Sequence, residues 1–203
     1  MTEMEKQFHN VLILAGTGDR KSSRLMGLAT KHWENHGIRV TVCNVGWQDG
    51  SLEFKLKLEE IKKLIDQLSK KGPVSIIGCS AGGSAAFNAF LEQNHIIQKA
   101  ISICARLRSG KGEFRPRSKL FEQSVLFFEG QESRIPDELK KRMMTVSAQF
   151  GDPRVPEDTS HLEGAYNTKI RLKGHGFSIA MALTLLKKPV IDFIKLSRES
   201  SEK

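Results

Sequence analysis

The sequence predicts an α/β protein, a three-layer α/β/α sandwich around a mainly parallel sheet of about six strands. Short apolar or β-branched runs alternate with longer segments of helical periodicity, the order expected of a parallel sheet with helices on both faces. One run, Val74-Ser75-Ile76-Ile77, leads through Gly78-Cys79-Ser80-Ala81-Gly82-Gly83 into an alanine-rich helical pattern. The 203 residues, 39% hydrophobic and 27% charged, suffice for one domain with a core of its own.

The first strand is expected at 11–15, behind a short polar segment, and a helix at 21–36 ends at Gly37. A second strand at 39–44 precedes a helix over 51–71. That helix carries Phe54, Leu58, Ile61, Ile65 and Leu68 on one stripe and is closed by Gly72-Pro73. Its opening, from Leu52 to Leu58, also alternates like a strand, so its start stays open. Strand 74–78 and helix 81–93 follow, then strand 100–104. Within 106–142, Ser124-Val125-Leu126-Phe127-Phe128 has strand composition, yet Leu120, Ser124, Phe127 and Phe128 share one helical face. Helix is preferred, because a strand there would need a further crossover before Thr145. Strands at 145–150 and 168–172 and a helix over 177–196, kinked at Pro189, complete the chain. No repeat, linker or second boundary interrupts it. One domain over 1–203 is expected, with flexible ends at 1–10 and 198–203.

Composition narrows the function. The polar start leaves no room for a signal peptide, and the longest apolar stretch, 179–186, is far shorter than the roughly 20 residues a bilayer requires, so a cytoplasmic protein without membrane contact is expected. Cys43, Cys79 and Cys104 lie in apolar runs and read as small buried hydrophobes of a reducing compartment. The net charge of +9 is spread over helices and tail, which reads as a solvated basic surface more than as a nucleic-acid footprint. His32 and His36 stand four apart but lack a third ligand, so no metal is expected. Gly16-Thr17-Gly18-Asp19-Arg20-Lys21-Ser22 has neither glycine required of a phosphate-binding loop, and Lys21 stands at the third glycine of the dinucleotide pattern. No cofactor is expected either.

Gly78-Cys79-Ser80-Ala81-Gly82 is the pattern of a serine held on a sharp strand-to-helix turn, with the helix N-terminus supplying N–H groups beside the hydroxyl. A serine hydroxyl becomes a nucleophile when a base takes its proton, and the base needs an orienting carboxylate. Asp152, in Gly151-Asp152-Pro153-Arg154-Val155-Pro156, lies just beyond one expected strand. His175, in Lys173-Gly174-His175-Gly176, lies just beyond the last. Loops that follow parallel strands share one edge of the sheet, so all three residues are expected on the same rim. Glu157 and Asp158 stay open as alternative carboxylates, and the glycines around His175 suggest an exposed, mobile ring.

Over nearly its whole length the chain resembles the α/β-hydrolase superfamily. Asp152–Pro156 matches that family's Asp-x-x-Val-Pro acid motif, and Gly174-His175 its Gly-His base motif. The resemblance implies Ser80 as nucleophile, His175 as general base and then acid, and Asp152 as the group that orients the imidazole. It also implies an oxyanion hole formed by the backbone N–H of Ala81 and a second donor from Ala15-Gly16-Thr17-Gly18. The family often has His-Gly where this chain has Ala15-Gly16, which leaves that donor open among Thr17, Gly16 and Gly18. The family's first two strands are missing, as is a long insertion before the acid strand, so a small member without a full cap domain is expected. Arg106, Arg108 and Lys111 follow the strand after the nucleophile helix and should start at the active-site edge, where they would favour an anionic substrate. The expectation is a serine hydrolase that cleaves a carboxylic ester or thioester of a small molecule through an acyl-enzyme. An amidase or peptidase is the alternative within hydrolases, and a catalytically silent scaffold binding a ligand or partner is the alternative outside them.

Overall fold

The computed structural model describes residues 8–50, 53–110, 114, 116 and 118–196. Six strands form one sheet in the order β2-β1-β3-β4-β5-β6. They are β1 His9–Leu14, β2 Ile38–Cys43, β3 Val74–Cys79, β4 Ile97–Ile103, β5 Met143–Ala148 and β6 Tyr166–Ile170. Every pairing is parallel. The expected strands are all present. β4 starts three residues before the expected 100, because a bulge opposes Val74 to Ile97 and Ile76 to Ala100. One extra residue on β4 turns Ile97 and Ala100 to the same face and breaks the two-residue period that the sequence would display.

Right-handed crossovers decide which face each helix covers. The chain leaves β1 for the β2 edge through α1 (Asp19–Thr30), then returns past β1 to β3 through α2 (Phe54–Ser69). It continues in that second direction through α3 (Gly82–Glu92), α4 (Lys119–Glu132) and the short α5 (Asp137–Lys140). Reversing direction reverses the face. Strand alternation follows: Leu12, Leu14, Val74 and Ile76 pack with Phe54, Ile61, Phe87 and Phe128 from the α2–α4 layer. Val11, Ile13, Ile77 and Ile101 pack with Met26 of α1 and with α6 (His175–Leu183) and α7 (Lys188–Lys195).

Three helices refine the sequence expectations. The helix expected over 21–36 stops at Thr30 and becomes a 3-10 turn, Trp33–His36, ended by Gly37 at φ 74°. The start left open at 51–54 resolves at Phe54, whose N–H donates to Gln123 Oε1 at 2.8 Å; residues 51 and 52 lie outside the described ones. The final helix is two helices, and Pro189 lies in the first turn of α7, where its missing N–H costs nothing, so it begins a helix where a kink was expected. Segment 120–135 is helical as preferred as far as Glu132: Ser118 Oγ caps it by accepting from the Phe121 N–H at 3.2 Å, and Leu120, Ser124, Val125 and Phe128 are buried. The expected flexible ends lie outside the described residues except at 8–10, where His9 and Asn10 belong to β1 and pair with β2, so the ordered chain begins earlier than expected. No helix among the described residues is long and apolar enough to cross a membrane.

Candidate active site

β3 and β1 are neighbours whose following helices diverge to opposite faces, and the resulting crevice lies at their C-terminal ends. Ser80 stands there with φ 56°, a left-handed backbone that a non-glycine residue adopts at a cost of about 1 to 3 kcal/mol. Its N–H donates to Ile103 O at 3.0 Å and its carbonyl accepts from the Gly83 N–H at 3.0 Å, so the turn is held from both sides. The flanking glycines answer a packing demand. A Cβ on Gly78 would lie 2.1 Å from Gly82 O, and one on Gly82 would lie 2.2 Å from Leu14 O. Helix α3 therefore starts against the backbone of β1, with Ser80 aimed into the crevice.

The loops after β5 and β6 bring in the other two groups. Gly174 N–H donates to Gly151 O at 2.9 Å, tying the loops together. His175, the first residue of α6, lies with Nε2 2.7 Å from Ser80 Oγ and Nδ1 2.7 Å from Asp152 Oδ2. Asp152 Oδ1 accepts from the Arg154 N–H at 2.9 Å, which fixes the carboxylate in its turn. The side chains of His175 and Asp152 are only 8% and 5% exposed. The imidazole is thus buried between its partners, where flanking glycines had suggested an exposed ring. The Asp152 carboxylate selects the Nδ1–H tautomer, leaving Nε2 as the acceptor toward the serine hydroxyl. Such a chain can pass a proton from hydroxyl to imidazole while the carboxylate stabilises the imidazolium.

Neither alternative carboxylate holds His175, whose Nδ1 is taken by Asp152. Glu157 pairs with Lys169, and Asp158 lies beside Arg106. Thr17 and Ala81 line a cavity of about 460 Å³ together with Ser80 and His175. Gly16, Thr17 and Gly18 line a second cavity, about 410 Å³, which also reaches Ser80 and His175. The loop after β1 is anchored nearby by Trp47 Nε1, which donates to Ala15 O at 2.8 Å.

The basic segment divides. Arg106 lines the first cavity, its guanidinium 4.6 Å from the Phe114 ring centroid. Arg108 is turned away from the cavity and engaged structurally: its guanidinium grips the Glu132 carboxylate and donates to the carbonyls of Asp158 and His161. Lys111 lies outside the described residues. Sequence reasoning missed Arg154, Phe114 and Phe121, which also line the first cavity. The signal for Arg154 was its place two residues past Asp152 in the same post-strand loop. Phe114 and Phe121 come from the segment whose structure the periodicity left ambiguous.

Cys104, directly after β4, also has positive φ, 46°. Burial, with the nearby Asp152 charge adding, pushes its thiol up to about 12, and burial raises that of Cys79 as well. Both sulfurs stay protonated at neutral pH, which makes them poor nucleophiles beside the serine.

No family model and no curated protein matches the sequence. Solved structures do resemble the fold. A structure of LipS and LipT, metagenome-derived lipolytic enzymes, has 15% identity and a TM-score of 0.64 over 92% of this chain and 93% of that one. Est1E from Butyrivibrio proteoclasticus also has 15% identity and a TM-score of 0.64, over 94% of this chain and 88% of its own. The thioesterase domain from the curacin biosynthetic pathway has 11% identity and a TM-score of 0.62, over 94% and 92%.

Proposed function

From the premise that this chain has the α/β-hydrolase fold, we propose that it is a serine hydrolase of carboxylic esters or thioesters. The observation that carries the reading is the continuous chain from Ser80 Oγ through His175 to Asp152, with both contacts at 2.7 Å. Ser80 Oγ attacks the acyl carbonyl and its proton passes to His175 Nε2. The carbonyl π pair moves to oxygen, and the oxyanion is met by the Ala81 N–H and by one from the Gly16–Gly18 loop. That pair returns as the bond to the leaving group breaks, and the departing alcohol or thiol takes the proton from His175. Water then attacks the acyl-enzyme, gives its proton to His175 and releases the acid, and Ser80 recovers its hydrogen. An amide would ask more of the same site, because an amine leaves only when protonated.

A fluorophosphonate probe read by intact mass tests the proposal. One adduct is expected, on Ser80, absent from Ser80→Ala and strongly reduced in His175→Ala. A folded protein that stays unlabelled would overturn it and favour a non-catalytic ligand-binding scaffold.

A further inference from the structure

The two cavities meet at Ser80 and His175, with Thr17 and Arg154 common to both; Arg106 and aromatic rings line the first, and aliphatic side chains of α1 and α6 line the second. In the first, Phe114 and Phe121 stand edge to face at 5.7 Å, Trp47 packs on Phe121 at 6.0 Å, and Arg106 lies over Phe114. This aromatic ladder holds a partly buried guanidinium at the mouth of the site. Arg106 Nη1 donates to Ser109 O at 3.2 Å, which uses one of its five N–H donors. Asp158 is the acidic group whose charge it feels, but among the described residues no carboxylate pairs with Arg106 or with the Arg154 side chain. Arg108, by contrast, is paired with Glu132. Two arginines, half-buried Arg106 and exposed Arg154, thus line the cavity beside the serine without an ion-paired carboxylate, a lining suited to an anion.

The second cavity is a groove between α1 and α6, walled by Leu25, Met26, Ala29, Ile179 and Leu183. It follows α6 from Gly176 to Leu183, about 10 Å at helical rise, which suits a chain of several carbons. Leu25 on its wall is 58% exposed and offers apolar surface to such a chain.

We propose that the substrate is bipartite, with an anionic group, carboxylate or phosphate, on one side of the scissile carbonyl held by Arg106 and Arg154, and an apolar chain on the other held between α1 and α6. This rests on the hydrolase reading above. Partial burial of Arg106 against the Phe114 ring desolvates its guanidinium, which strengthens the contact with an anion and leaves a neutral analogue with an unpaired, partly desolvated guanidinium.

Two pairs of esters test it. Hexyl hydrogen glutarate against hexyl methyl glutarate places the carboxylate on the acyl half. The 4-carboxyphenyl and 4-carbamoylphenyl esters of hexanoic acid place it on the leaving group. In one pair the anionic ester is expected to be favoured by about tenfold in kcat/KM, the effect of one hydrogen bond to a charged group. That preference falls toward one in Arg106→Gln and in Arg154→Gln, and declines with salt. It persists in Lys188→Gln, which removes the same charge from an exposed site on α7, and Arg106→Lys recovers part of it. Replacing the carboxylate of the preferred ester by phosphate identifies which anion fits better. Ala29→Phe should lower kcat/KM for hexyl relative to methyl analogues. Neutral and anionic esters cleaved within twofold of each other, or a preference that survives both arginine variants, would overturn the substrate assignment and leave the hydrolase reading standing. Inert esters with unlabelled Ser80 overturn both.

Discussion

At the scale of residues, Asp152 does two jobs with two oxygens: Oδ2 holds His175 Nδ1, and Oδ1 accepts the Arg154 N–H. Replacing it by asparagine keeps the shape but offers an amide where the imidazole needs an acceptor, so the tautomer with a basic Nε2 is lost. Asp152→Asn is expected to lower kcat by about 10³- to 10⁴-fold with little change in thermal stability, measured on any ester the wild type cleaves. A variant that retains more than a tenth of wild-type kcat would show that Asp152 does not orient His175 for catalysis. His9 offers a separate residue-scale prediction. Its Nε2 lies 2.9 Å from Ser75 Oγ, and burial lowers its pKa from 6.5 to about 4. The folded state holds the ring neutral while the unfolded chain takes a proton below 6.5. The stabilisation that His9 supplies is therefore complete above about 6.5 and is lost as pH falls toward 4. Between pH 7 and 4 the melting temperature of His9→Gln should decline less steeply than that of the wild type.

At the scale of elements, the turn from β3 to α3 is set by contact between backbones. A methyl group on Gly82 meets Leu14 O at 2.2 Å, so Gly82→Ala must push α3 off β1 or tilt the turn. The expected cost is about 1 to 3 kcal/mol by urea denaturation, with a larger fractional loss of Ser80 labelling than of stability. Unchanged labelling would mean the turn is softer than its contacts imply. α4 is tied into the same layer differently: Phe128 packs on Phe87 at 5.5 Å, and Ser124 Oγ lies 2.8 Å from Ser84 Oγ. Phe128 is fully buried, so Phe128→Ala should cost about 3 to 5 kcal/mol. Leu126, 52% exposed on the same helix, should tolerate alanine within about 0.5 kcal/mol. Equal effects from the two would contradict the helical assignment of this segment.

At the scale of the whole molecule, the sequence by itself determined the strand order along the chain, because runs such as Val74-Ser75-Ile76-Ile77 must be buried and the segments between them are amphipathic. It also placed Ser80, Asp152 and His175 just past β3, β5 and β6, since parallel connection sends every such loop to one edge. Those are local or topological facts, carried by short spans of chain. The tertiary structure alone decided the rest. Whether Arg106 or Arg108 reaches the cavity depends on where Glu132 of α4 lies, and nothing within a few residues of either arginine encodes that distance. Arg154 and Phe121 come together across 32 residues of intervening chain. Burial of His175 requires α6 to dock against the sheet over α1, which the flanking glycines could not reveal. Hydrophobic period and turn chemistry are written in neighbouring residues, whereas the walls of a cavity are sums over side chains distant in sequence, fixed only when helices from both faces pack around the C-terminal edge of the sheet.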